Sequence, residues 1–114
     1  MTMKNDYRYF YDAIVKRIID GDTIVADVDL GFGIWMRNQR IRFYGINAPE
    51  KSTYEGSRAT AYVANRIPPE THIKLQTIKD RTGKYGRYLG IIWVDDTPLN
   101  EELVDQGLAE KYLK

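Results

Sequence analysis

A chain of 114 residues, 43% hydrophobic and 29% charged, suits one domain that can bury roughly two-thirds of its unfolded surface. The absence of cysteine excludes disulfide stapling and thiolate metal centres and fits a reducing compartment. With 17 basic against 16 acidic residues, a net charge of +1, global charge carries no nucleic-acid footprint, so any basic surface has to be local.

Residues 1–10 read as an N-terminal extension and 11–114 as the domain. The opening segment lacks a long apolar run, so it is expected to be neither a secretory signal nor a membrane anchor, and no stretch reaches the apolar length that spans a bilayer. A cytoplasmic location with no membrane partner is the default expectation, with a secreted mature form left open. No internal repeat or low-complexity tract occurs.

Residues 11–19 suit a first strand. In 24–30 the even positions Ile24, Ala26, Val28 and Leu30 are apolar and Asp27 and Asp29 lie between them, which predicts a half-buried strand. Gly31-Phe32-Gly33 reads as a turn. Residues 34–46 read as one more strand, with Ile41 and Phe43 alternating with Arg40, Arg42 and Tyr44. A loop over 47–53 leads to a helix over about 54–67, where Ala59, Tyr62, Val63 and Ile67 form an apolar stripe and Pro68-Pro69 ends it. Ile73 and Leu75 mark a strand, 79–86 a polar loop, and 88–94 an apolar strand. The last element is a helix near 100–107. Asn100 suits its N-cap, Glu101 and Glu102 its first turn, Leu99 and Val104 a hydrophobic staple, and Gly107 its C-terminal cap. Three strands, a helix, two strands and a helix match a five-stranded OB-type Greek-key barrel, a mainly β (α+β) fold with two or three helices.

Three segments carry chemistry. In Asp20-Gly21-Asp22-Thr23 two carboxylates can converge on a hard cation, although for this motif taken alone a common Asp-Gly hairpin turn is the stronger reading. In Arg42-Phe43-Tyr44-Gly45-Ile46-Asn47-Ala48-Pro49-Glu50, the arginine lies opposite the apolar face of its strand. It is expected to project from the barrel surface, where its planar donor fork suits phosphodiester oxygens; an ordinary solvated arginine is the plainer reading. Glu50 suits positioning a water or is an ordinary surface acid. The third segment, Lys79-Asp80-Arg81-Thr82-Gly83-Lys84-Tyr85-Gly86-Arg87, suits a phosphate-binding loop and equally a solvated hairpin. His72, the one histidine, is given no role.

Together these segments, with Leu99-Asn100-Glu101-x-Leu103-Val104-x-x-Gly107-Leu108-Ala109, resemble the staphylococcal-nuclease-like (thermonuclease) family over residues 11–109, in the same order. The resemblance implies a calcium-dependent nuclease that cuts DNA or RNA and leaves 3′-phosphate ends. It implies Asp22 as a direct Ca2+ ligand, Asp20 acting through water, Asn47 at a position that is an aspartate ligand in that family, and Ala48 lending its backbone carbonyl. Arg42 and Arg87 would clamp the scissile phosphate, and Glu50 would organise the attacking water. Lys84 and Tyr85 would hold a neighbouring phosphate. Tyr112 stands where an aromatic could stack a base, or is a terminal tyrosine without a role. Asn47 removes one negative charge from the metal site, which is expected to weaken calcium binding without abolishing it. The sequence ends at Lys114, so a third helix found in that family is expected to be missing or shortened.

The alternative from another class is a non-catalytic nucleic-acid-binding OB module. Such relatives lose acids and arginines that are present here as Asp22, Arg42, Glu50 and Arg87. A protein-binding domain would leave the co-occurrence of those charges without a reason. DNA or RNA is the expected partner and a monomer the default state.

Overall fold

Alternating apolar residues make five long strands because each can bury one face against the others. The computed structural model describes residues 9–82 and 88–112, with the side chains of 79–82 outside the description. Its long strands are β1 (Phe10–Asp20), β2 (Thr23–Gly31), β3 (Ile34–Phe43), β5 (His72–Thr82) and β6 (Tyr88–Val94), with two-residue strands β4 (Ile46–Asn47), β7 (Thr97–Pro98) and β8 (Glu110–Lys111). β1 pairs antiparallel with β2 and β5, β2 with β3, and β5 with β6. β3 runs parallel to β6 through Ile41–Tyr88, Arg42–Leu89 and Phe43–Gly90. That last pairing closes a five-stranded mixed barrel of the OB type. The Cα radius of gyration, 13.1 Å, is close to the ~13 Å of a compact domain this long.

Val15, Ile24, Ile41, Phe43, Leu75 and Ile92 fill the barrel. Helix α1 (Tyr54–Arg66) covers it with Ala59 and Val63, and Ile67 just beyond it is equally buried. Full burial of such a valine or isoleucine is worth about 1.5–3 kcal/mol. Helix α2 (Leu99–Asp105) contributes Leu99 and Leu103. The two helices are joined by Glu102, which accepts from Arg66 Nε at 2.7 Å and Nη2 at 2.9 Å and from the Tyr62 hydroxyl. No helix among the described residues is long and apolar enough to cross a membrane.

Four local expectations are corrected. Residues 23–28 of β2 are buried throughout, because Asp27, on the supposedly exposed face, accepts from Asn38 N at 2.8 Å and Arg37 Nη1 at 3.0 Å. The strand expected over 34–46 stops at Phe43; Gly45, at φ +81, turns the chain in a left-handed conformation that glycine tolerates, and β4 follows. The polar stretch 79–82 belongs to β5 rather than to a loop. Asn100 is not the N-cap of α2, a place taken by Pro98. It lies within the helix, 1% exposed, accepting from Ile92 N at 3.0 Å and donating to Tyr44 O at 2.9 Å and Gly90 O at 3.1 Å. A pattern of capping residues cannot reveal partners on two other elements. The end of α2 does follow its sequence signal. Gly107 at φ +73 lets Leu108 N reach Leu103 O and Gly107 N reach Val104 O, the paired bonds of a Schellman cap.

The described exposed large aliphatic residues and phenylalanine, namely Leu30, Phe32, Ile34 and Met36, all lie on the β2–β3 hairpin. Phe32 forms its tip in a left-handed conformation between Gly31 and Gly33.

Candidate active site

The tight turn Gly21-Asp22 joins β1 to β2. Gly21 needs no unusual backbone angle; it is glycine because a Cβ there would come within 2.7 Å of Ala59 Cβ and 3.0 Å of Ala48 Cβ. Helix α1 and the loop after β4 are thereby drawn against the acidic turn. Asp22 is locked to the end of β3 by its own carbonyl, which accepts from Phe43 N at 2.8 Å. Its carboxylate is 7% exposed as a residue; Oδ2 accepts from Ala48 N at 2.8 Å and Oδ1 from Thr23 Oγ1 at 3.1 Å. Asp20 Oδ1 accepts from Asp22 N at 3.1 Å. Burial raises the Asp20 pKa above the ordinary aspartate value, and the neighbouring Asp22 adds to the rise.

Arg42 does not project from the barrel. Its side chain is 14% exposed and folds back over the turn between β3 and β4. Nη1 donates to Phe43 O at 3.0 Å and Ile46 O at 2.9 Å, and Nη2 donates to Asn47 Oδ1 at 3.1 Å. Nη1 also lies 3.5 Å from Asp22 Oδ2. Main-chain oxygens thus hold the guanidinium in place, and Asp22, Arg42, Asn47 and Ala48 form one bonded cluster.

Asn47 is exposed in β4, whose partner β8 sets Asn47 against Glu110. Beside it, a groove of about 380 Å³ is bordered by Asn47, Ala48, Pro49, Arg58, Leu108 and Glu110. Glu50 is exposed in the loop that follows. Tyr112 is 49% exposed and donates its backbone N–H to Gly45 O at 2.8 Å, so its main chain is tied to the turn under Arg42. Lys84, Tyr85 and Arg87 lie outside the described residues.

Asp20, Asp22, the Asn47 amide and the Ala48 carbonyl are all oxygen donors, the donor chemistry of a hard divalent cation. The described residues contain no group of three or more His, Cys, Asp or Glu side chains suited to a metal. In donor type the residues fit calcium; in charge they offer two carboxylates.

Thr53 and Gly56, which no motif marks, take part in the geometry. Thr53 caps α1 by accepting from Gly56 N at 3.0 Å, and its hydroxyl donates to Glu50 O at 2.7 Å. A threonine just before a helix was the available signal.

A family model described as "Staphylococcal nuclease homologue" matches residues 40–114. The chain is 30% identical over 102 residues to a thermonuclease of Staphylococcus intermedius, covering 84% of this chain and 56% of that protein. It is 36% identical over 107 residues to Protein ParB of Escherichia coli, covering 86% and 55%. To a micrococcal nuclease of Shigella flexneri it is 30% identical over 107 residues, covering 86% and 56%. The chain spans about half the length of these relatives. Family match, relatives and barrel agree: the chain belongs to the staphylococcal nuclease homologue family.

Proposed function

We propose that this protein is a calcium-dependent nuclease that hydrolyses phosphodiester bonds in DNA or RNA and leaves 3′-phosphate ends. The observation that carries the proposal is the Asp22–Arg42–Asn47–Ala48 cluster, in which a guanidinium, a buried carboxylate, the Asn47 amide oxygen and the Ala48 backbone N–H meet. The names of the thermonuclease and micrococcal nuclease relatives support it.

Attack on a phosphodiester builds negative charge on the non-bridging oxygens. Arg42 answers that charge with a donor that needs no reorganisation. Its Nη1 is committed to Phe43 O and Ile46 O, so the Nε–H and the outer Nη2–H are pre-oriented for a phosphate oxygen. Arg87 is assigned as the second clamp, and Lys84 and Tyr85 as holders of a neighbouring phosphate. Glu50 is assigned to orient, and take a proton from, the attacking water. Asp22, the Asn47 amide and the Ala48 carbonyl would hold calcium, with Asp20 acting through water. When bound, the ion would supply a Lewis acid at the phosphate and lower the pKa of a bound water.

The test is digestion of plasmid and of single-stranded oligonucleotides, with calcium and then with chelator. Cleavage that needs calcium, with product 3′ ends that cannot be extended until a phosphatase has treated them, is the expected result. No cleavage at saturating calcium would remove the nuclease reading, and cleavage unaffected by chelator would remove the metal.

A further inference from the structure

Gly56 is the third residue of α1. Glycine weakens a helix interior because it loses more chain entropy than alanine, and this position commonly carries a glutamate or glutamine that completes a capping box. The surroundings explain the glycine. A Cβ on Gly56 would overlap the carbonyl group of Glu50 and lie 2.9 Å from Pro49 O. Both obstacles are backbone, so neither can yield by changing a rotamer. The main chain of 49–50 therefore rests directly on the helix at Gly56.

Thr53 holds the same carbonyl from the other side. Its N–H donates to Glu50 O at 3.0 Å and its hydroxyl at 2.7 Å, while the hydroxyl oxygen accepts from Gly56 N at 3.0 Å. One turn further along α1, Ala59 receives Gly21 of the acidic turn, which also touches Ala48. The opening turns of one helix thus seat both the Glu50 loop and the Asp20–Asp22 turn. The gap between Glu50 and the Asp22–Arg42 cluster depends on how closely each approaches that helix.

We infer that Gly56 and Thr53 are positioning residues for Glu50, setting its main chain at the distance from the Asp22–Arg42 cluster at which a water held by Glu50 faces the phosphate. This inference rests on the proposed role of Glu50. A side chain at 56 must push the 49–50 backbone outward, and a displacement of about 1 Å in a reacting group can lower turnover on the order of a hundredfold.

The experiment is steady-state cleavage of an oligonucleotide at saturating calcium, alongside thermal melts. Gly56→Ala should lower kcat by about ten- to a hundredfold with KM within about twofold, since substrate binding does not pass through Glu50. Thr53→Val should lower kcat in the same way, and Thr53→Ser, which keeps the hydroxyl, should restore it; this pair tests the inference even if Gly56→Ala fails to fold. Val63→Ala, in the buried second half of the same helix, should lower the melting temperature and leave kcat unchanged. If Gly56→Ala or Thr53→Val retains kcat at the Val63→Ala level, the inference is overturned. In a Glu50→Gln background Gly56→Ala should cost nothing further, because both changes disable one group; losses that multiply would overturn it. Glu50→Gln at the full wild-type rate would remove the underlying assignment of Glu50. Loss with Glu50→Gln but none with Gly56→Ala would remove only the positioning role.

Discussion

The guanidinium of Arg42 is fixed by Phe43 O and Ile46 O before any substrate arrives, and this gives the residue two functions that one substitution exposes. Arg42→Ala should reduce kcat by about a hundredfold or more, the scale of losing one fixed donor to a developing oxyanion. It should also destabilise the fold by about 1–3 kcal/mol, because two carbonyls at the turn lose this donor and the Asp22 carboxylate loses its neighbouring positive charge; urea denaturation measures this. An arginine projecting into solvent would have lowered activity with no change in stability. Asn47 carries the second residue-scale expectation. Asn47→Asp adds a charged oxygen donor in nearly the same shape and should lower the calcium concentration giving half-maximal activity. Repulsion from Asp20 and Asp22 alone would lower the stability of the calcium-free variant. The Arg42 Nη2 that already bonds Asn47 Oδ1 would meet the new charge, so the calcium-free melting temperature should not fall. An unchanged calcium requirement, read by titration calorimetry and by rate, would show that residue 47 is not a ligand.

Among the elements, α2 is attached by polar contacts as much as by its leucines. Asn100→Ala would strand Ile92 N and Tyr44 O inside the protein, each at a penalty of about 1–3 kcal/mol where water cannot enter, while Gly90 O keeps only the Tyr44 N–H. A loss of about 3 kcal/mol or more in chemical denaturation is expected; a loss below about 1 kcal/mol would mean that water replaces the amide. Glu102 links α2 to α1, and the Arg66 hydrogen bonds hold its carboxyl below the ordinary glutamate range although burial opposes them. A depressed folded-state pKa stabilises above the unfolded value, about 4.3, and the contribution vanishes as pH falls through the folded one. Glu102→Gln should therefore melt below wild type at neutral pH, and the gap should close in acid below about pH 4. Alternation made Ile24, Ala26 and Val28 legible as core because burying an apolar face needs no particular partner. Asp27 and Asn100 were not legible because their burial depends on donors and acceptors on other elements. The strands β4, β7 and β8 are too short for any periodicity to register. At the candidate site, Asp22, Arg42 and Asn47 were readable as residues from motif order. The inward fold of Arg42 was not, since it depends on where the carbonyls of a glycine turn point.

At the scale of the whole molecule, closure of the barrel and the pairing of β4 rest on different strands. The barrel closes when β3 meets β6, and Trp93, buried in β6 with its indole N–H on Gln76 Oε1 of β5 at 3.0 Å, reports the docking of β6 on β5, the strand pairing that carries β6 into the barrel. β4, which carries Asn47, pairs among the described residues with β8 alone, from the far end of the described chain. Pairings between distant segments form slowly because the loop between them has to be ordered first. A refolding chain should thus pass through a stage in which the barrel exists and β8 has not yet docked beside Asn47. In a Trp35→Phe background, Trp93 fluorescence after dilution from urea should recover in a faster phase than nuclease activity. Recovery of both in one phase would mean that β8 docks in the same step that shuts the barrel.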